Sequence, residues 1–369
     1  MPRFNTNRIA LVHGNDGTDV RVGKVCRSLS RMGFDMHFIG WDRRPNIEKT
    51  VELGLTHTHI MKAATPYGSS TIFGSMRFAL HMARELRKLR PNTVCCVNED
   101  NALLALPMCG LFYRHLVCDV FDGILDRHSN SSLPSRIVLC AIAHISRIGA
   151  DRLIATDSAR FEGFGRYRPK CIVIENYPED PGEDLASTPL DGPIRIYAAG
   201  TMYVGRGLRQ LLAAVDATTN AEVVSAGWLY DDYATDVFVK HPKVAFHGIV
   251  TAQESLRLAA QCDAVFSFYE PSSVCTRQAS PNKIYDAMSV GRPVIINEEA
   301  AVSQWIVDNH LGVRLPYTDT EGLTRILNSL KEKRKSVPDF ARHARELFNQ
   351  GYSWEQMEPR LNELYRSFL

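Results

Sequence analysis

The apolar positions of the chain follow two alternating periods. Short runs rich in branched and aromatic residues recur, each followed by a longer run in which apolar residues return every three or four positions. Residues 9–13 read as a strand that ends in the turn His13-Gly14-Asn15-Asp16-Gly17. A helix is predicted over 20–32, with Val22, Val25, Cys26 and Leu29 on one face and Gly33 at its end. The series continues with a strand at 36–39, a helix at 73–89 stopped by Pro91, a strand at 93–97, a helix at 102–113 and a strand at 116–121. Pro134 then opens a helix to about 148, and strands follow at 152–155 and 171–174. This succession predicts a parallel sheet with helices on both faces.

Residues 176–193 break the pattern. They carry Pro178, Pro181, Pro189 and Pro193 with Gly182 and Gly192, the composition of an interdomain connection. Alternation then restarts, with strands at 194–199, 222–226, 244–246, 263–268 and 293–297. Helices are predicted at 207–217, 255–261, 283–290, 302–309 and 320–335, and again from 339 onward. The fold class is therefore α/β, with two doubly wound Rossmann-like domains. The expected division is 1–177, a linker at 178–193, 194–350, and a final helical segment at 351–369. That segment has no strand sequence of its own to pack on and is expected to cross back to the first domain. In open sheets of this kind ligands bind where strands end and helices begin, so the residues just after strands carry the chemistry.

The 369 residues are 45% hydrophobic and 23% charged, which excludes disordered, collagen-like and coiled-coil chains. Net charge is +2, but residues 1–177 hold 24 Lys/Arg against 16 Asp/Glu, and the remainder 19 against 25. The basic half is expected to meet an anionic surface. No nucleic-acid module is recognisable, so no nucleic acid is expected as a partner. The apolar stretch LPSRIVLCAIAHISRIG and the preceding helix with Arg77, Arg84, Arg87, Lys88 and Arg90 beside Phe78, Leu80 and Met82 point to a membrane surface; the plainer reading is ordinary domain helices. No run of 18 apolar residues is present, and the polar N-terminal residues do not read as a signal peptide. Nine Cys without a CxxC pair read as reduced thiols rather than a disulfide or zinc framework. A cytoplasmic protein, peripheral to the inner face of a membrane, is the expectation.

Two stretches after strands of the second half carry candidate chemistry. The first runs Ala199-Gly200-Thr201, then Val204-Gly205-Arg206-Gly207-Leu208. Glycine admits a ligand close to the backbone, the helix start offers free N–H groups, and Arg206 can neutralise a phosphate. Neither GxGxxG nor GxxxxGK[ST] is present. The second runs Gln278-Ala279-Ser280-Pro281-Asn282-Lys283-Ile284-Tyr285-Asp286 and ends Gly291-Arg292-Pro293-Val294-Ile295. Ser280 suits an N-cap and Pro281 the first helical position. Lys283 then opposes the helix dipole unless an anion sits there. Asp286, three residues on, shares its face. A Lys for phosphate and a carboxylate for ribose hydroxyls would hold a nucleotide; a plain salt bridge on a solvated face is the alternative. Asp231-Asp232 read as part of a polar loop, not a metal pair.

The second stretch resembles the S-P-N-K-x-x-E-x-M-x-x-G-x-P-V-I signature of GT-B glycosyltransferases of family 4, and the resemblance spans nearly the whole chain. Asp19-Val20-Arg21-Val22 resembles that family's first βα unit, Asp119-Val120-Phe121-Asp122 its acidic strand end, and Ile174-Glu175-Asn176-Tyr177-Pro178 the end of its first domain. Gly248-Ile249-Val250, Cys262-Asp263-Ala264 and Glu270-Pro271-Ser272 resemble its middle segment. The resemblance implies a GT-B architecture, two domains facing a cleft, and transfer of a sugar from a UDP- or GDP-sugar to a glycan or lipid-linked acceptor in surface polysaccharide or glycoconjugate synthesis. It implies donor binding by Gly200, Thr201, Arg206, Gln278, Ser280, Pro281, Asn282, Lys283 and Asp286, and catalysis by Asp122 or Asp119. His13, Gly14 and Arg21 fall on the acceptor side. Neither a metal nor a cofactor is implied. Two positions depart from the family: Gln278 stands where it has Glu, and Thr201 where it often has a basic residue, which leaves the pyrophosphate to Arg206 and Lys283. The other functions weighed are a nucleotide-sugar epimerase or hydrolase of the same fold and a non-enzymatic two-domain sugar-binding protein.

Overall fold

The computed structural model describes residues 4–43, 45, 54, 57–64, 72–128, 131–186, 188–272 and 282–369. The chain forms two compact units, residues 1–176 with 357–369, and residues 177–356.

The first unit is built on seven parallel strands: β1 (Asn5–His13), β2 (Asp35–Asp42), β3 (Thr58–Lys62), β4 (Pro91–Val97), β5 (His115–Val120), β6 (Arg152–Ala155) and β7 (Cys171–Val173). Their order is β3-β2-β1-β4-β5-β6-β7, so the winding reverses between β1 and β4. β4 is buried at every position, as a central strand covered on both faces must be. The edge strand β3, Thr-His-Ile-Met-Lys, is too polar to read as a strand from sequence; it is held by its parallel pairing to β2 and by the helix Ile72–Leu89, whose Glu85 lies 3.3 Å from His59. On one face the helix Ile72–Leu89 buries Phe78, Met82 and Leu86. Elsewhere in the same unit the helix Val20–Arg31 buries Val22, Val25, Cys26 and Leu29. It meets the C-terminal helix Glu358–Arg366, where Ser28 Oγ donates to Glu358 Oε1 at 2.6 Å. Tyr365 is buried beside Phe34, and Phe368 stacks on His115 with ring centroids 4.7 Å apart.

The helix predicted over 102–113 instead begins at the end of β4 and runs over Asn98–Ala105, followed by a tight turn at Leu106–Met108. Pro107 removes the N–H that would continue the α-helix.

The second unit has six parallel strands: β8 (Ile194–Met202), β9 (Ala221–Leu229), β10 (Val244–Phe246), β11 (Ala264–Ser267), β12 (Val294–Asn297) and β13 (Gly312–Leu315). Their order is β10-β9-β8-β11-β12-β13, with the reversal between β8 and β11. β8 and β9 run three residues beyond their predicted ends and stay paired to Met202–Leu229. Gly227 makes this possible. Its φ is +137°, and a Cβ there would lie 1.9 Å from the carbonyl oxygen of Gly200. The proline-rich stretch read as a linker is bound along its length to this unit: Arg345 pairs with Asp180 at 2.8 Å, and buried Arg292 donates to the carbonyls of Ala186 and Thr188.

Candidate functional site

In the second unit the polar groups gather at the winding reversal. β8 ends at Met202, and the single turn Val204–Arg206 follows before Gly207 (φ +70°) opens the helix Leu208–Ala217. A Cβ on Gly207 would strike Phe268. Asp231 shapes this turn by accepting from Val204 N and Ala234 N, both at 2.8 Å, so its carboxylate serves backbone groups as a loop residue. The half-buried Arg206 lies over the ring of Tyr269, 3.8 Å from its centroid. Tyr269 follows β11, and its neighbour Glu270 donates its N–H to Gly205 O at 2.8 Å, which stitches the two post-strand loops together. Asn297, at the end of β12, accepts from Tyr269 N at 2.8 Å and donates to Glu299, whose carboxylate in turn receives Tyr317 N.

Lys283 lies in the first turn of the helix Asn282–Ser289, and its ammonium reaches Asp286 at 2.8 Å. It also donates to Ser255 Oγ at 3.4 Å, and that hydroxyl lies 2.8 Å from the phenol of buried Tyr197 on β8. Burial works to lower the Lys283 pKa, but the Asp286 carboxylate and the nearby tyrosines offset it, and the ammonium is held above its ordinary value. Tyr269 is among those tyrosines, so Arg206 and Lys283 share one neighbour. Gly200 and Thr201 lie within β8, the latter exposed, and Asn282 is exposed at its helix start. Gln278, Ser280 and Pro281 lie outside the described residues.

In the first unit His13 ends β1 next to Gly14, and a Cβ on Gly14 would sit 3.4 Å from Asn101 Oδ1. Burial lowers the His13 pKa against the raising effects of Asp19, Asp100 and Asp16. Its Nδ1 is buried with no hydrogen-bond partner among the described residues, and its ring meets Phe121 edge-on. Asp122 follows β5 and is exposed, with Oδ1 2.7 Å from Arg160.

Asp119 and Arg21 pair with each other. Asp119 is 2% exposed, and both its oxygens accept from Arg21, at 3.1 and 3.2 Å. It sits inside β5, as the strand predicted over 116–121 has it, and its side chain meets Arg21 of the helix Val20–Arg31. Burial raises its pKa despite Arg21. The pair ties that helix to the sheet with both charged ends buried.

Sequence reasoning passed over Asn98 and Glu99. Asn98 has φ +65°, a left-handed backbone that asparagine tolerates, and its Oδ1 receives Phe121 N at 2.8 Å and Asp122 N at 3.3 Å. Glu99 is fully buried, accepts Ile124 N and pairs with Arg147 at 2.7 Å. Together they fix the loop that carries Asp122. Their signal was their place directly after a strand, which also applies to Tyr269. Nothing in the sequence pointed to Ser255 or Tyr197. Among the described residues no cluster of three or more His, Cys, Asp or Glu could hold a metal ion.

No family model matches the chain, and no curated protein matches it. Solved structures do. Sucrose-phosphate synthase from Thermosynechococcus elongatus is 16% identical, with 98% of each chain covered and a TM-score of 0.69. HepE of Anabaena, solved with UDP and glucose, is 14% identical over 98% of this chain and 99% of that one, with a TM-score of 0.70. WaaG, a glycosyltransferase involved in lipopolysaccharide biosynthesis, is 13% identical over 96% and 99%, with a TM-score of 0.64. At such identities the likeness is one of fold, and the two-domain Rossmann-like α/β architecture expected from the sequence is the one these glycosyltransferases share.

Proposed function

We propose that this protein transfers a glycosyl group from a UDP- or GDP-sugar to a hydroxyl of a glycan or lipid-linked acceptor, in the synthesis of a surface polysaccharide or glycoconjugate. The observation that carries the reading is the meeting of Arg206, Tyr269 and the Lys283–Asp286 pair at the winding reversal of the second unit, where open α/β sheets bind ligands. The likeness to HepE, solved with UDP and glucose and with UDP-glucose, supports a nucleotide sugar as the ligand.

In this reading the bond between the anomeric carbon and the distal phosphate oxygen breaks, and its electron pair leaves on the nucleoside diphosphate. The acceptor oxygen forms the new bond and gives up its proton. Arg206 and Lys283, with the N–H groups at the start of the helix Asn282–Ser289, neutralise the departing diphosphate, so that no metal is needed for that charge. Asp286 takes the ribose hydroxyls, and the phenol of Tyr269 keeps Arg206 in place. Asp122, the exposed carboxylate after β5, receives or orients the acceptor proton. His13, whose buried Nδ1 has no hydrogen-bond partner among the described residues, lines the acceptor side with Gly14.

The test is a thermal-shift series with UDP, GDP, ADP and their glucose conjugates, without added metal. The reading predicts a rise in melting temperature for one base and a larger one for its sugar conjugate. Equal melting with every nucleotide, with and without added metal, would remove the donor site.

A further inference from the structure

We propose that the first unit docks on an anionic lipid bilayer through the outward faces of two helices, Ile72–Leu89 and Leu133–Gly149. This goes beyond sugar transfer, and it is read in an assay that needs neither donor nor acceptor.

The two helices lie on one side of the sheet. The connections β3 to β4, β4 to β5 and β5 to β6 all advance in the same direction along the strand order, and right-handed crossovers place their helices on the same face. The short helix Asn98–Ala105 packs against both.

Both helices carry large apolar side chains on their outward faces. Ile72–Leu89 buries Phe78, Met82, Leu86 and Leu89 against the sheet, yet Ile72, Phe73, Met76 and Leu80 are 60–80% exposed on the opposite side. Leu133–Gly149 buries only Ala143 and Ser146, while Leu133, Ile137, Val138, Ile145 and Ile148 are 49–74% exposed. A helix that faces water on one side is expected to be polar there. Several large exposed apolar side chains on one helix face mark a site of interaction.

The charges on the same surface select the partner. Arg77, Arg84, Arg87 and Lys88 share the outward side of the first helix, and Arg136 that of the second. Arg77, Arg84, Arg87 and Arg136 make no ion pair among the described residues. The only carboxylate on the first helix, Glu85, is buried, and the second has none. Along Ile72–Leu89 the exposed apolar residues occupy the first half and most of the bases the second. That division suits a helix lying in the interface, with its apolar end among acyl chains and its bases at phosphate level. Among the described residues no helix is long and apolar enough to cross a membrane, so the contact is interfacial.

Sedimentation of the full chain with vesicles of equal parts phosphatidylglycerol and phosphatidylcholine tests this, with pure phosphatidylcholine as the control. The proposal predicts binding to the anionic vesicles that salt weakens. It also predicts a loss of about tenfold or more in partitioning for Arg84→Glu with Arg87→Glu, and a similar loss for Leu80→Glu with Ile137→Glu. Both double variants change exposed side chains and should melt like the parent and bind nucleotide as it does. Three results would overturn the proposal: no sedimentation of the parent chain at low salt, unchanged binding by both variants, or a stable dimer in solution that Leu80→Glu with Ile137→Glu dissociates.

Discussion

The guanidinium of Arg206 rests on the ring of Tyr269, 3.8 Å from its centroid, and so joins the loop after β8 to the loop after β11. The contact orients a flexible cation without using up its charge, as a phosphate-binding arginine requires. Tyr269→Leu keeps an apolar side chain and removes the aromatic face. Donor affinity should fall about two- to tenfold, the range such contacts span, with the melting temperature little changed. Calorimetric titration with the nucleotide checks this, and an unchanged affinity would show that the ring does not hold Arg206 for the ligand.

Asp122 is exposed, and its pairing with Arg160 is a surface ion pair that contributes little to stability. Asp122→Asn should therefore fold normally and bind donor as before, while turnover drops about 10²–10⁴-fold. Initial rates at saturating donor, beside the donor dissociation constant, separate the two effects. Near-normal turnover would take Asp122 out of the chemistry.

Asp119 should behave in the opposite way. Asp119→Ala leaves Arg21 buried without its carboxylate, which costs about 3–5 kcal/mol of stability. Replacing both, Arg21→Met with Asp119→Leu, should recover most of that loss. Urea denaturation of the three variants tells the cases apart. A stable but inactive Asp119→Ala protein would mark Asp119 as a catalytic group.

Much of the fold was legible because the strands are covered on both faces and carry short apolar runs, 94–97 in β4 and 294–296 in β12. What escaped had local chemistry that pointed elsewhere. Gly200 and Thr201 look like a turn, but Gly227, where a Cβ would collide with the backbone of Gly200, lets the two strands continue side by side. β13 is a short edge strand with an exposed arginine, and β3 has the same weakness. In the site, Lys283 and Asp286 were legible from their three-residue spacing and their conflict with the helix dipole. The third and fourth members, Ser255 and Tyr197, come from a preceding helix and a distant strand, and only the folded topology brings them there. The pairing of Asp119 with buried Arg21 was not legible either, because the two residues lie 98 positions apart in the chain.

Stability should depend on pH through the histidines of β2 and β3. His37 is held at about 4, below its ordinary 6.5, by burial, with Arg8, His57 and His59 acting in the same direction and Asp35 against it. The unfolded chain takes up this proton near 6.5 and the folded chain only near 4, so unfolding binds a proton in that window. Stability should fall as pH drops from 6.5 to 4, by at most about 3 kcal/mol from this group. Urea midpoints across that range, for the parent and His37→Gln, should give a shallower slope for the variant. Parallel slopes would mean that His37 is not buried as a neutral ring.

The account stands most directly on Lys283 as a ligand for the diphosphate. Calorimetric titration of the nucleotide that stabilises the parent protein, repeated on Lys283→Ala, is the decisive measurement. Loss of one charge-assisted contact to phosphate should weaken binding about tenfold or more, since such bonds are worth about 1.5–3 kcal/mol, with the fold intact by circular dichroism. Equal affinity for parent and variant would reduce Lys283 to a structural partner of Asp286 and contradict the proposed donor site.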